Sequence, residues 1–240
     1  GYQKVLSADQ WKLPFKNLSE NDATLSADIT SFLSAPFDLS SNYMFRASLY
    51  QTGDNEHILA GVFHHISSDG WSLGILLREF MTLYHAHVSG EEIVLPQLPL
   101  QYIDYALWQR NYLEGAVINK QLSYWEHKLE GVTALQLPTD HARPTVQSVA
   151  GANYSFELNN QLSAQINALS KKEGVTVFMT LLSAFKILLS RYSGQEDICV
   201  GTPIANRTQR DLEGMIGFFV NTLALRTDVK NEVSFHELLQ

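Results

Sequence analysis

The sequence contains a single cysteine, few basic residues and no long apolar run. Cys199 is alone among 240 residues, so no disulfide can form within the chain. Its position inside the apolar run 198–200 indicates a small buried hydrophobe, and a cytoplasmic location fits. The 17 lysines and arginines are outnumbered by 25 acidic residues, and no basic stripe is present to neutralise phosphates. These scarcities argue against a disulfide-stapled secreted domain and against a nucleic-acid partner.

The ends of the chain also lack features. There is no signal peptide, no apolar stretch long enough to span a bilayer and no initiator methionine before Gly1, so we expect no membrane partner. Residues 234–240 look like the opening of a helix that is cut off. We therefore expect an excised piece of a larger multidomain chain.

The spacing of apolar residues predicts alternating strands and helices, which is an α/β or α+β class. The predicted elements are strands at 2–6 and 13–18, a helix at 22–34, a hairpin of 45–51 and 57–65, a helix capped by Asp69 or Ser68 and running down to Gly90, helices at 101–113 and 117–130, a strand at 153–158, a helix at 161–172, a helix capped by Thr176, and strands at 197–203 and 218–226. The helices after Asp69 and Thr176 are each predicted to bury a leucine- and phenylalanine-rich face. Because residues 131–152 are rich in glycine and proline, we predict lobes at 1–135 and 153–240, joined by a linker at 136–152.

Two adjacent histidines end the second hairpin strand. Side chains alternate along a strand, so His64 and His65 should face opposite sides, one structural and one towards a cavity. A histidine between a strand end and a helix start is well placed for proton transfer near neutral pH. On the residues alone, the pair can also be merely the polar end of a strand. A metal site formed with Asp69 is disfavoured, because neighbouring strand positions point apart, and a serine hydrolase is disfavoured because no GxSxG elbow exists.

Five segments, in order and spacing, resemble the motifs of condensation domains from nonribosomal peptide synthetases, which belong to the HHxxxDG acyltransferase superfamily. They are 64–72 (HHxxxDGWS), 102–109 (YxDYAxWQ), 121–125 (QLxYW), 137–144 (LPTDxxRP) and 216–223 (IGxFVNT), the last preceded by GTPIANR at 201–207. An HxxxDG run alone is shared by several acyltransferase families, but the five together cover nearly the whole chain.

The resemblance implies two lobes similar to chloramphenicol acetyltransferase, here both truncated, with a tunnel between them. It also implies upstream and downstream peptidyl carrier proteins and an adjacent adenylation domain as partners. Each carrier presents its substrate on 4′-phosphopantetheine, and no cofactor is bound intrinsically. The acceptor amine attacks the donor thioester and forms a peptide bond.

The motif positions transfer as follows. His65 matches the catalytic histidine, which positions the amine and partly accepts its proton, while His64 matches the more structural one. Asp69 matches the aspartate of a salt bridge, for which Arg207 is our candidate partner. Gly70 matches the position where the backbone approaches closely and an N–H can stabilise the thioester oxyanion.

The remaining motif residues are expected to support the site. Trp71 and Ser72 belong to the histidine motif as tunnel or structural residues, and Asn221 matches a position near the tunnel floor. The aromatic residues Tyr105 and Trp108 are expected to pack between helices, and the same is expected of Trp125.

Several departures limit what the resemblance implies. The family's early SxAQxRLW-like and RHxxLRTxF-like motifs and its late HQDYPFE-like and RDxSRNPL-like motifs are absent, so we expect the isolated chain to be inactive. The ordinary type joining two L-residues fits better than the heterocyclisation or epimerisation types. Two other functions stay open, namely a non-catalytic condensation-like recruitment platform and a coenzyme A-dependent acyltransferase of the same superfamily.

Overall fold

The computed structural model describes residues 2–18, 22–148 and 151–239 of the chain. Helices and strands are mixed along it, which confirms the α/β class. The elements are β1 (Phe15–Asn17), α1 (Asp22–Ser34), β2 (Phe45–Gly53), β3 (Glu56–Phe63), α2 (Gly70–Ser89), α3 (Tyr102–Tyr112), α4 (Gly115–Leu129), α5 (Asn160–Glu173), α6 (Val177–Ser193), β4 (Asp197–Ile204), β5 (Asn221–Asp228) and α7 (Phe235–Leu239).

The chain divides into two compact units. The first comprises Gly1–Asn111 with Ala205–Asn221, and the second comprises Tyr112–Ile204 with Thr222–Gln240. The segment 205–221 thus belongs to the first unit, although it lies far along the sequence. The lobe limits that the sequence suggests, at 1–135, 136–152 and 153–240, stay a prediction.

The first unit contains a three-stranded sheet in the order β1-β2-β3. β1 runs parallel to β2, and β2 pairs antiparallel with β3, with Phe45 opposite Phe63. The register shifts between Gln51 and Gly53, beside the turn that closes the hairpin. This hairpin was predicted from the turn residues, and it brings the chain to the two histidines at the end of β3.

α2 follows the histidines and has defined caps at both ends. The side chain of Asp69 accepts a hydrogen bond from the Ser72 N–H at 2.9 Å, which is the usual N-cap interaction. Gly90 ends the helix in the left-handed conformation with φ of 71°, which glycine adopts without strain. The helix therefore lies where the sequence predicted it.

The second unit contains the two-stranded sheet β4-β5 and the helices α4 to α7. Thr176 caps α6, as predicted, by accepting from the Met179 N–H at 3.2 Å. Ile198 of β4 is fully buried, whereas Cys199 is only partly buried, contrary to expectation. No single helix among the described residues is long and apolar enough to cross a membrane; α5 and α6 meet those criteria only as a pair, and that pair is bent by 103°.

Three strand predictions need correction. Residues 2–6 and 153–158 form no strand, because neither segment pairs with a neighbour in the described chain. The strand predicted from Phe218 begins instead at Asn221. The reason is that the Phe219 N–H, which a sheet partner would need, donates to the Asp69 side chain at 3.1 Å.

The apolar faces of α2 and α6 are less covered than predicted. On α2 the buried side chains are Ser72, Ile75 and Ala86, while Leu77 is 53% exposed. On α6, Phe185 is 47% exposed. The large side chains line up at helical spacing as expected, but the described residues do not cover them.

Candidate active site

The histidine pair lies in a turn just beyond β3. The His64 N–H still donates to the Met44 carbonyl at 2.9 Å, which extends the hairpin ladder by one residue. The Ser67 N–H then donates to the His64 carbonyl at 3.1 Å and turns the chain towards α2. The two imidazoles therefore differ in surroundings because the chain turns after His64, and not through strand alternation alone.

His65 is exposed, and its ring orientation is fixed by the backbone. Its Nδ1 lies 2.6 Å from the carbonyl oxygen of Ser68. A carbonyl can only accept, so Nδ1 carries a proton, and in the neutral imidazole the lone pair is on Nε2. The ring also meets that of Phe218 edge to face, with centroids 5.1 Å apart and an interplanar angle of 87°. His65 thus presents a proton-accepting nitrogen in a defined orientation.

His64 is half-buried and bonded within the turn. Its Nδ1 accepts from the Ile66 N–H at 3.1 Å, so this ring has the opposite tautomer. The ring of Phe37 packs against it edge to face at 5.7 Å. These contacts describe a histidine that braces the turn.

Asp69 is buried among hydrogen-bond donors. Besides capping α2, its carboxylate accepts from the Phe219 N–H at 3.1 Å and lies 3.2 Å from Nη2 of Arg207. Burial alone would raise the pKa of the Asp69 carboxyl. The hydrogen bonds from the Ser72 side chain and backbone, followed by those from Phe219 and the charge of Arg207, outweigh burial and hold the pKa below its usual value. Asp69 is therefore an ionised support and not a proton donor at neutral pH.

Arg207 is the expected ion-pair partner of Asp69, and its side chain is also buried. The exposed fraction of its side chain is 2%, and that of Asp69 is 0%. Its Nη1 donates to the carbonyl oxygens of Leu212 and Met215, the latter at 2.6 Å. The guanidinium also lies 4.0 Å from the ring centroid of Phe219. A buried ion pair is stable only with such additional partners.

Ser72 joins α2 to the segment around Gly217. Its hydroxyl accepts from Nη2 of Arg207 at 2.9 Å and from the Gly217 N–H at 3.1 Å. It also lies 2.7 Å from Oδ1 of Asp69 and 2.9 Å from the Gly217 carbonyl oxygen, and its single proton can serve one of these acceptors at a time. Ser72 is thus a structural connector in the first unit.

Gly70 and Trp71 form the start of α2. The first N–H groups of a helix have no partner within the helix, and they carry the positive end of its dipole. A Cβ added at Gly70 would meet no atom within 4 Å, and Gly70 lines a hollow of about 500 Å³. The Trp71 indole N–H donates to the Glu213 carbonyl at 2.9 Å. The protein itself therefore leaves room at Gly70, while Trp71 is tied to the loop 213–217.

Sequence reasoning missed the role of Tyr102. Its hydroxyl donates to the Phe218 carbonyl at 2.7 Å, and its ring lies so close to Gly217 that an added Cβ would be 2.3 Å away. Tyr105, one turn along α3, is buried against Phe219, so it is a packing residue as expected, although its buried partners lie in the segment 212–219 and not on another α-helix. The spacing of the two tyrosines was the available signal, because residues three apart share a helix face.

The remaining residues singled out from the sequence are less enclosed than Asp69 and Arg207. Asn221 is exposed at the start of β5, and Trp108 is 42% exposed on α3. Trp125 on α4 is half-buried. Within the described residues, no three histidine, cysteine or acidic side chains come close enough to hold a metal ion.

A family model described as "Condensation domain" matches residues 1–240. The chain is 49% identical over 222 residues to one of the linear gramicidin synthase proteins of Brevibacillus parabrevis, a match that covers 92% of this chain and 4% of that protein. The chain thus spans a small fraction of the curated relatives that it matches.

Two solved structures extend the likeness to the fold. The X-domain of teicoplanin biosynthesis, in complex with OxyB, is 28% identical with a TM-score of 0.84, covering 95% of this chain and 51% of that one. A four-domain nonribosomal peptide synthetase bound to AMP and glycine is 26% identical with a TM-score of 0.82, covering 97% and 18%.

Proposed function

The chain belongs to the condensation-domain family, and on that basis we propose that it carries the centre at which such a domain forms a peptide bond. The α-amine of an acceptor aminoacyl thioester attacks the carbonyl carbon of a donor acyl or peptidyl thioester. The C–N bond forms, the C–S bond breaks, and the proton lost by the amine ends on the departing thiol. The reaction class is acyl transfer.

The orientation of His65 is the observation that carries this proposal. With Nδ1 2.6 Å from the Ser68 carbonyl, Nε2 is the accepting nitrogen, as the reaction requires. A free α-amine has a pKa near 8 and is already substantially neutral at mildly alkaline pH. His65 therefore acts mainly by holding the amine through Nε2 and by accepting part of its proton as the C–N bond forms.

The start of α2 supplies the complementary electrostatics. A negative charge develops on the thioester oxygen during the attack, and helix N-termini stabilise anions through their N–H groups. Gly70 is the first residue of α2, and its missing side chain leaves room for a carbonyl oxygen to approach. Its N–H is our candidate donor to the oxyanion.

Asp69, Arg207 and Ser72 hold the parts of the site in place and do not contact the substrate. The buried carboxylate caps α2 and at the same time binds the Phe219 N–H, so it fixes the helix start relative to the segment 217–219. The low pKa of Asp69 keeps it charged, and therefore keeps these bonds, throughout the neutral range. We assign them as positioning residues.

The substrates reach this centre on partner proteins. We propose that upstream and downstream peptidyl carrier proteins present them on 4′-phosphopantetheine, beside an adenylation domain in one multidomain cytoplasmic chain. The relatives support this arrangement, since the matched solved synthetase has four domains and the gramicidin synthase protein is far longer than this chain.

A recruitment platform is the second candidate. The observation that favours it is the X-domain structure, which contains OxyB as a bound protein. The intact histidine motif and the ordered surroundings of His65 favour the enzyme, because a platform needs neither an oriented imidazole nor an ionised aspartate behind it.

The test uses the full-length protein that contains this chain. Donor-loaded and acceptor-loaded carrier proteins are mixed with it, and intact-protein mass spectrometry follows the acceptor carrier. We expect the acceptor to gain the mass of the donor acyl group. If carriers bind in calorimetry but no mass is gained with any pair, the platform is favoured. Gain of mass only from coenzyme A thioesters would indicate the free-standing type of acyltransferase.

A further inference from the structure

Phe218 combines an exposed aromatic ring with a tightly held backbone. The residue is 38% exposed, whereas its neighbour Phe219 is 2% exposed in the core. Exposed residues in loops usually have mobile backbones, and Phe218 differs because its backbone is held by hydrogen bonds.

Hydrogen bonds fix the backbone on both sides of the ring. The Phe218 carbonyl accepts from the Tyr102 hydroxyl at 2.7 Å, and the following N–H, that of Phe219, donates to Asp69 at 3.1 Å. On the other side, the Gly217 N–H donates to the Ser72 hydroxyl at 3.1 Å. The backbone that carries the ring is therefore held by Tyr102 together with Asp69 and Ser72, which also support the start of α2.

The fixed ring stands against the proposed catalytic imidazole. The Phe218 and His65 centroids are 5.1 Å apart and the rings are nearly perpendicular, at 87°. This is a favourable aromatic geometry, and it places an apolar surface beside the imidazole on which the acceptor amine is proposed to bind. Anything attached to the carbon next to that amine comes close to this surface.

We propose that Phe218 is a specificity-determining residue that limits the bulk of the acceptor side chain beside His65. The inference rests on the proposed function, because it assumes that Nε2 of His65 receives the acceptor amine. The acceptor is the substrate affected, since its amine and α-carbon are one bond apart, whereas the donor side chain lies beyond the thioester carbonyl.

The experiment compares acceptors of increasing size in the full-length protein. Carrier proteins loaded with glycine, alanine, leucine or phenylalanine are paired with one fixed donor, and kcat/KM is measured for each. Phe218→Ala is expected to raise the ratio of kcat/KM for bulky acceptors to kcat/KM for small acceptors by about tenfold. This is the discrimination that one or two methylene groups in an apolar pocket typically produce. Phe218→Trp is expected to lower the same ratio. A matched series of donors with one fixed acceptor should keep its ratios.

A second substitution separates bulk from aromatic character and guards against misfolding. Phe218→Leu keeps most of the apolar volume, so the acceptor ratios should stay close to those of the unchanged protein. Unchanged ratios in both Phe218→Ala and Phe218→Trp overturn the inference, and so does a shift in the donor series instead of the acceptor series. Absence of product with every pair in the unchanged protein contradicts the proposed function, which is a separate result.

Discussion

Nη2 of Arg207 lies 3.2 Å from Oδ1 of Asp69, although 138 residues separate them in the sequence. Both side chains are almost completely buried, and the pair joins the cap of α2 to the segment that carries Phe218. Because the two ends of this connection flank His65, the ion pair links the stability of the first unit to the shape of the proposed reaction centre.

Replacing Arg207 should therefore destabilise the first unit strongly. Arg207→Met leaves the Asp69 charge buried without its cation, which costs about 3–5 kcal/mol in comparable sites. The lost stability is measured by urea unfolding of the full-length protein, with limited proteolysis as the readout of unfolded chain. Arg210→Met serves as the control, since Arg210 is exposed nearby and a surface change of this kind costs about 0.5 kcal/mol or less. Equal midpoints for the two variants would contradict the proposed contribution of the pair.

The low pKa of Asp69 predicts a specific dependence of stability on pH. A carboxyl whose pKa is depressed on folding stabilises the folded state fully above its ordinary unfolded value, and that contribution is lost as the pH falls through the folded value. Asp69→Asn lacks this titration. Urea midpoints of the two proteins should differ at neutral pH and converge in acid below the ordinary aspartate range. A constant difference at all pH values would show that Asp69 does not titrate in this way.

Gly70 offers a test of the helix start as an oxyanion site. Since an added Cβ meets no atom within 4 Å, Gly70→Ala should fold normally, yet the methyl group would occupy the space proposed for the thioester oxygen. The rate of product formation should fall by about a hundredfold, as for other small displacements of reacting groups.

Gly74→Ala is the matched control for that measurement. Gly74 lies one turn further along α2 and lines the same hollow, and a Cβ there also meets nothing within 4 Å. Its N–H lies beyond the first turn and donates within the helix, so it is not a candidate oxyanion donor. This variant should keep its rate. If Gly70→Ala and Gly74→Ala are equally active, no substrate atom approaches Gly70 closely and its N–H is not the oxyanion donor.

Sequence reasoning predicted most of the elements around the site and only part of its connections. Hydrophobic periodicity and cap residues located α2, because these signals are local. The resemblance to condensation domains led us to expect a salt bridge at Asp69 and to choose Arg207 as its candidate partner. The contact of Tyr102 with Gly217 was missed, and Phe218–Val220 was assigned to a strand, because both depend on side-chain hydrogen bonds between distant segments. No periodicity encodes a backbone N–H that is donated to a carboxylate instead of a neighbouring strand.

The apolar faces of α2 and α6 lead to a prediction for the isolated 240 residues. With Leu77 and Phe185 about half exposed, this polypeptide should bind hydrophobic dyes and self-associate, and it should form no dipeptidyl product. Dye fluorescence, light scattering and mass spectrometry compare it with the full-length protein. Dipeptidyl product from the isolated chain would contradict this expectation.

The proposed role of His65 is tested most directly by His65→Ala in the full-length protein. A single turnover is started by mixing with carriers loaded with donor and acceptor, and intact-protein mass spectrometry gives the rate of dipeptidyl formation. His64→Ala, measured beside it, reports on the bracing histidine. We predict that His65→Ala lowers the rate by about a hundredfold or more without weakening carrier binding, because Nε2 of His65 receives the amine. Product formation at an undiminished rate would contradict this role.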